Sequence, residues 1–249
     1  MAMLSGFFAV YRREMRAWFT TPLAYVFLAA FAFAAPAFAF NIGRFFDTNR
    51  ADLAPLFAYL PWLLMILMPA LSMRAWAEER DRGTLEILLS SPIPLWAAAL
   101  GKFLAAWTIA ALALALTTPM WVAMNYLGSP DNAATATGYV GALLLAGGYL
   151  ALGQALSAST ANQVIAFVLG AGACFLVTVA GLPFVVDALA SRLPGAAAEA
   201  LAELSALARF QSLRRGVVSL SDLIYFLSLI GLGLGLAMTL IDARRGGGR

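Results

Sequence analysis

Histidine is absent from the 249-residue sequence. Its absence excludes a Ser-His catalytic pair, a His-ligated zinc ion and the most common general base of enzymes. Cysteine is nearly absent as well, because Cys174 is the only one, so an internal disulfide is excluded. Charged residues make up 12% of the chain, whereas an ordinary soluble domain has about 25%. These shortages argue against a soluble enzyme.

Apolar residues are abundant instead, at 62% of the chain with a mean hydropathy of +0.84. A helix that crosses the hydrocarbon core needs about 20 mostly apolar residues. Six such runs are predicted, at 22–40, 56–76, 95–124, 138–158, 163–186 and 220–241. The remaining segments are too short for a separate soluble domain. We therefore predict an all-α integral membrane protein with six transmembrane helices in a single transmembrane domain, 1–249.

The segment 4–19 differs from the runs that follow it. Its aromatic residues, Trp18 among them, share one helical face, and Arg12, Arg13 and Arg16 lie on the other. This pattern is typical of a helix that lies along the membrane surface, with its arginines toward anionic lipid. A simple amphipathic anchor without further function is the alternative.

Basic residues near the predicted spans indicate the topology. With the N-terminus inside, ten of the 16 basic residues lie on the cytoplasmic side, which predicts cytoplasmic N- and C-termini. The segment 187–219 is then outside, too short to cross twice and too apolar for a free loop, so we predict short helices that dip into the outer leaflet. The basic residues form no continuous stripe, which argues against nucleic-acid binding.

A charged segment, 78–90, separates the second and third apolar runs. We predict that Thr84 caps a short helix, that Glu86 lies in its first turn and that its leucines form an apolar face. Such a helix is suited to dock into a groove of a soluble partner. A solvated turn with leucines resting on lipid headgroups is the alternative. The residues expected at this contact are Glu78, Glu79, Gly83, Thr84, Leu85, Glu86, Leu88 and Leu89.

The segment 61–107, "PWLLMILMPALSMRAWAEERDRGTLEILLSSPIPLWAAALGKFLAAW", resembles the second and third helices of ABC-2 type transporter permeases. It is most similar to the permease group named after gliding motility, a relative of the nitrous oxide reductase maturation permease. The motifs of that group are present here as Arg74, Glu78-Glu79, Gly83-Thr84, Leu85-Glu86, Leu88-Leu89, Pro92 with Pro94, and Gly101-Lys102. The similarity continues at "YRREMRAWFTTPLAYV", "ANQVIAF" and "FQSLRRGVVSLSDLIYFLSL", so it covers nearly the whole chain.

The resemblance implies that 78–90 is the coupling helix region, which meets a separate ATPase subunit, and that 4–19 is the elbow helix. It implies an exporter of the bacterial inner membrane with two ATPase copies and a second permease half, identical or related. An auxiliary membrane or periplasmic protein is a further expected partner, beside the lipid bilayer. ATP and Mg²⁺ are expected on the ATPase, and no cofactor on this chain. The name of the group does not by itself imply a role in gliding for this chain.

Two enzymatic alternatives fit the residues poorly. Gly101-Lys102 lacks the first glycine and the Ser or Thr of a phosphate-binding loop, since Trp96 and Phe103 occupy those positions. We instead predict that Lys102 extends to the cytoplasmic interface. An intramembrane protease would need an acid-only or Ser-Lys site, and no serine partner for the lysine is visible.

A self-contained secondary transporter or channel is the main alternative. Proton or sodium coupling usually requires ionisable residues near the bilayer midplane, and the predicted spans have almost none. Gln154, the main polar residue within a span, is expected to form an interhelical hydrogen bond, or otherwise to line a substrate path. We predict an exit-side gate at Phe210, Arg214, Arg215 and Gly216, the alternative being arginines that meet lipid phosphate. The substrate stays open, with a slight preference for an amphiphile.

Small residues recur inside the predicted spans. Glycines let transmembrane helices approach one another closely, because no side chain separates the two backbones. The glycines expected at such contacts are Gly147, Gly148, Gly153, Gly231, Gly233 and Gly235.

Overall fold

A computed structural model describes residues 2–45, 52–190 and 204–245, and these residues form helices and connecting turns without a strand. The helices are α1 (Ala2–Thr20), α2 (Leu23–Ala37, followed by a π-helical turn at Phe38–Ile42), α3 (Ala54–Ser72), α4 (Arg74–Asp81), α5 (Leu85–Ser90), α6 (Leu95–Ala115), α7 (Thr118–Leu127), α8 (Asn132–Ser159), α9 (Gln163–Val179), α10 (Pro183–Ala190), α11 (Ala206–Arg214) and α12 (Leu220–Arg245). The all-α prediction is confirmed for the described residues.

Several helices are long and apolar enough to cross a membrane, which makes the chain a multi-pass membrane protein. Within the described residues five segments meet that requirement, Leu23–Ile42, Ala54–Asp81, Leu95–Leu127, Asn132–Ser159 and Leu220–Ala243. The run predicted at 163–186 is divided between α9 and α10, and α9 has 17 residues. At 1.5 Å per residue α9 is about 25 Å long, near the lower limit for a crossing. The sixth crossing stays a prediction.

Two predicted spans are broken within their length. The second span runs through α3 and, after a break at Met73, continues as α4, so Glu78 and Glu79 belong to the helical segment of the second span and not to α5. The third is interrupted between α6 and α7, directly before Pro119, whose ring cannot continue a regular helix. The segment predicted to dip into the outer leaflet includes α11, but 191–203 lies outside the described residues.

The helix α8 forms the centre of the bundle, where it contacts α3, α4, α6, α9, α11 and α12. Its glycines allow these approaches. Gly153 faces the Ser72 side chain of α3, and a Cβ on Gly233 of α12 would lie 2.6 Å from the backbone of Ala151. Gly231 and Gly235 have open space around them, so the expected close approach within the chain is wrong for these two.

The helix α1 packs along α6. Val10 is buried against Gly101, where a Cβ would lie 2.9 Å from the valine methyl carbon Cγ1. The Tyr11 hydroxyl lies 3.1 Å from the Thr108 hydroxyl. The amphipathic pattern of 4–19 therefore corresponds to a helix with one side packed on the bundle. Arg12 and Arg16 lie on its exposed side.

Candidate functional site

An ion-pair cluster joins α1, α4 and α6 at one end of the bundle, which we call the α5 end because α5 lies beside the cluster. Its members are Arg13, Glu14, Arg74, Glu78, Glu79, Arg82 and Lys102. The predicted coupling segment supplies three of them, and α1 supplies two. The cluster therefore ties the two segments that the sequence singled out, although they are far apart along the chain.

Lys102 is the centre of the cluster. Its side chain is only 4% exposed, and its Nζ lies 2.9 Å from Glu79 Oε1 and 3.1 Å from Glu14 Oε1. Arg13 donates to the same two oxygens, each at 2.8 Å. The Nζ also lies 5.2 Å from the centre of the Trp76 ring, a favourable position for a cation. The prediction that Lys102 extends to the interface is wrong, because two carboxylates hold it inside the protein.

Glu79 accordingly has its basic partners within the chain. A contact of Glu79 with an ATPase subunit stays a prediction. Glu78 is engaged in the same way, by Arg74 through Nε at 2.6 Å and Nη2 at 3.1 Å, and by Arg82 at 2.7 Å. The guanidinium of Arg74 in turn lies 5.7 Å from the centre of the Trp18 ring. The Glu-Glu pair therefore contacts α1 through two routes.

The ionisation of Glu14 follows from this geometry. Burial alone would raise the pKa of its carboxyl group, but the charges of Lys102 and Arg13 outweigh that cost and lower the pKa below its ordinary value. For Arg13, burial alone would lower the pKa, but the two glutamates outweigh this effect and raise the pKa above its ordinary value. Both groups are therefore charged at neutral pH, as their ion pairs require.

A cavity of about 380 Å³ lies next to the cluster, between α1, α4 and α6. Trp18, Leu71 and Ala106 line its apolar part, whereas the cluster and the hydroxyl groups of Thr20 and Thr84 line its polar part. The contacts between α1 and α4 include the Arg13–Glu79 ion pair and the position of the Arg74 guanidinium over the Trp18 ring.

The orientation of α5 differs from the prediction. Leu88 is only 9% exposed and packs with Trp76, Ala98 and Ile241, so it anchors α5 to the bundle and does not offer itself to a partner's groove. Leu85 and Leu89 are partly buried at the same cluster.

The start of α5 also differs from the prediction. Thr84 is the N-cap residue of α5, as predicted, but it makes no capping hydrogen bond, and its hydroxyl donates to the Glu79 carbonyl oxygen at 3.3 Å instead. Glu86 does lie in the first turn, as predicted, and is exposed. Gly83 has a φ of 68°, which makes the turn between α4 and α5 one that favours glycine.

Ile87 and Ser157 are two residues of this site that the sequence did not single out. Ile87 is 69% exposed on α5, although it follows the same apolar pattern as the leucines. Ser157 of α8 accepts from the backbone N–H groups of Trp76 and Ala77, each at 3.1 Å, and donates to the Met73 carbonyl oxygen at 2.7 Å. It thereby provides hydrogen-bond partners for backbone N–H and C=O groups where α3 ends and α4 begins. A lone serine in an Ala-rich helix carries no sequence signal of that role.

The other predicted residues lie away from the cluster. The Gln154 side chain is buried and its Nε2 donates to the Ala99 carbonyl oxygen at 3.0 Å, which is the interhelical hydrogen bond expected for it. Phe210 is buried in the main core. Arg214 and Arg215 line a second cavity, of about 260 Å³, at the opposite end of the bundle, and Gly216 follows with a φ of 83°. The structure does not bring Phe210, Arg214, Arg215 and Gly216 to the α5 end, whereas Gln154 lies nearer to it, because Ala99 belongs to the same apolar cluster as Trp76 and Leu88.

Comparison with known proteins identifies the family. A family model described as "ABC-2 family transporter protein" matches residues 9–241, which include the ion-pair cluster, α5 and both cavities. A search of curated proteins finds no match. The match extends over nearly the whole chain, and the apolar helices are those of a multi-pass membrane protein. The chain therefore belongs to the ABC-2 transporter family and is the membrane-embedded permease of an ABC transporter.

Proposed function

We propose that this chain is the permease subunit of an exporter, and that a separate ATPase subunit drives it by moving α5. The observation that carries the proposal is the two-sided character of α5. Its inner side is anchored through Leu88, whereas Glu86 and Ile87 are exposed on the same short helix. An exposed isoleucine beside a carboxylate is suited to a partner's groove with a basic rim.

The ion-pair cluster would pass a displacement of α5 to the rest of the bundle. α4 follows directly from α3 and precedes the Gly83 turn, so a push on α5 reaches α4 first. From there, Glu79 connects to α1 through Arg13 and to α6 through Lys102. ATP-driven closure of the ATPases would thus tilt these helices together and shift the bundle between inward and outward access. A shift of this kind needs only a few kcal/mol of differential contact between the two states.

The wider assembly is part of the same proposal. It comprises two ATPase copies, which carry ATP and Mg²⁺, and a second permease half that is identical or related. An auxiliary membrane or periplasmic protein is a further expected partner. We place the assembly in a bacterial inner membrane with both termini in the cytoplasm, and we assign the chain to the gliding-motility type group on the motifs of 61–107. An amphiphilic substrate is the expectation.

A self-contained secondary transporter gains little support. The buried ionisable side chains in the described spans include Lys102 and Asp222. Lys102 lies eight residues into the Leu95–Leu127 segment and Asp222 at the start of α12, and each is ion-paired, Asp222 with Arg209 at 3.4 Å. Coupling-ion sites lie near the bilayer midplane, whereas these two charges lie toward the ends of their segments and have fixed partners.

The proposal is tested by affinity purification from the native host, with a readout of ATP hydrolysis. Wild-type protein is expected to co-purify with a subunit that has a phosphate-binding loop, and the complex should hydrolyse ATP. Ile87→Asp should abolish co-purification without loss of folded protein, because Ile87 is 69% exposed. Val217→Asp is the matched control, since Val217 is 57% exposed at the opposite end.

Leu88→Asp would be a poor test, because a buried leucine is also needed for folding. If Ile87→Asp retains a fully active ATPase, the assignment of α5 is wrong. If wild-type protein purifies alone and transports in liposomes without ATP, the chain is a secondary transporter.

A further inference from the structure

The second cavity lies at the end of the bundle opposite α5, which we call the α11 end. It is formed where the starts of α3 and α8 meet the end of α11. Four charged residues line it, Asp52, Asp131, Arg214 and Arg215. The predicted topology puts this end of the bundle outside the cell.

The two aspartates already have partners on the protein. Asp131 accepts from the backbone N–H groups of Ala133 and Ala134, each at 3.0 Å, and so caps α8. Asp52 accepts from Ala54 at 3.1 Å, at the start of α3. The N-terminus of a helix carries about half a positive charge, which offsets part of each carboxylate charge.

The two arginines have no comparable partners. Within the described part of the chain, no carboxylate lies within ion-pair distance of either guanidinium, and neither donates a hydrogen bond. Arg214 and Arg215 therefore bring N–H donors without a partner among the described residues to the cavity, whereas the two aspartate carboxylates that line it already accept hydrogen bonds.

From this geometry we propose that the cavity at the α11 end binds a phosphate group, carried by a lipid headgroup or by a small soluble molecule. Two adjacent arginines offer planar forks that match phosphate oxygens. The cavity volume of about 260 Å³ lies just below the usual range of small-molecule pockets, so it suits a headgroup and not a whole lipid. Phe57 and Leu53 line the same cavity and give the carbon atoms next to the phosphate an apolar contact. This site is independent of the proposed ATPase contact, which lies at the other end.

The test uses the full chain, purified in maltoside detergent and freed of lipid in phosphate-free buffer. Isothermal titration with inorganic phosphate forms one arm, and titration with mixed micelles of phosphatidylglycerol forms the other. Micelles of diacylglycerol, which has no phosphate, are the control for the second arm. Wild-type protein is expected to bind at least one of the two phosphate probes, and binding only the micelles would identify the lipid as the source.

The matched variants separate the site from general charge effects. Arg214→Gln with Arg215→Gln should weaken binding by about tenfold or more, because hydrogen bonds to a charged group are lost. Lysine at both positions should retain part of the affinity, which shows that the site is still folded. Arg44→Gln, an exposed arginine that does not line the cavity, should bind as wild type. The proposal fails if wild-type protein binds neither probe, or if Arg44→Gln weakens binding as much as the double variant.

Discussion

Lys102 provides the sharpest test of the ion-pair cluster. Lys102→Met keeps the length of the side chain and removes its charge, so the two carboxylates at 2.9 and 3.1 Å lose their buried partner. Loss of one member of a buried ion pair typically costs 3–5 kcal/mol, because the remaining charge stays desolvated. Arg13 still contacts both carboxylates and is 52% exposed, so part of that cost is recovered. We expect a loss of about 3 kcal/mol in the free energy of unfolding.

A double-mutant cycle with Glu79→Gln separates the ion pair from other effects. The single variant Glu79→Gln should cost about 2 kcal/mol, since Lys102 keeps Glu14 as a partner. The loss in the free energy of unfolding of the double variant should be about 1–3 kcal/mol smaller than the sum of the losses of the two single variants, as is usual for residues in direct contact. Unfolding of the purified protein by sodium dodecyl sulfate in mixed micelles, followed by circular dichroism, measures these differences.

The control is Arg82→Gln, because Arg82 is 68% exposed and pairs with Glu78 at the edge of the cluster. An exposed ion pair of this kind contributes about 0–1 kcal/mol. Two results would refute the reasoning. One is additivity of Lys102→Met and Glu79→Gln to within about 0.5 kcal/mol, and the other is a cost for Arg82→Gln as large as that for Lys102→Met.

Two further predictions concern helix packing and pH. Gly233→Ala should lower the yield and thermal stability of the folded protein, because its Cβ would lie 2.6 Å from the Ala151 backbone, whereas Gly231→Ala, with open space around it, should behave as wild type in the same melting assay. Because the pKa of Glu14 in the folded protein is below its ordinary value of 4.5, its ion pairs stabilise the fold above pH 4.5, and that contribution is lost as the pH falls through the lowered pKa. Glu14→Gln should therefore flatten the acid side of the stability profile, and an unchanged profile would contradict the assigned ion pairs.

The helical segments could be predicted well from the sequence because each long apolar run is a property of neighbouring residues. The breaks inside those runs were harder to predict. At the break at Met73, the carbonyl oxygen accepts from the hydroxyl of Ser157, which is 84 residues away along the chain. The division of the run at 163–186 into α9 and α10 was missed because the prediction followed the continuous hydropathy, although Gly181 and Pro183 are typical of a helix end and a helix start.

The candidate site was predicted in part. The segment 78–90 was singled out by its charges, and the position of Glu86 in the first turn of α5 is confirmed. The inward and outward sides of α5 were assigned wrongly, because Ile87 and Leu88 are equally apolar and only contact with Trp76 decides which one is buried. Contact with an ATPase and a gate at Arg214 and Arg215 stay predictions.

Composition and local pattern determined that this chain is an all-helical membrane protein, and its motifs indicated an ABC-2 permease. These properties are readable because hydropathy and motif spacing are linear along the chain. Which charges pair with which was decided only by the tertiary structure. Lys102, Glu14 and Glu79 lie far apart in sequence, and they meet because α1 packs on α6 and α4 places Glu79 beside Lys102. Lys102, which the sequence pattern predicts at the solvent-facing interface, is thus the buried centre of the site. Its environment is made by helices that only folding brings together.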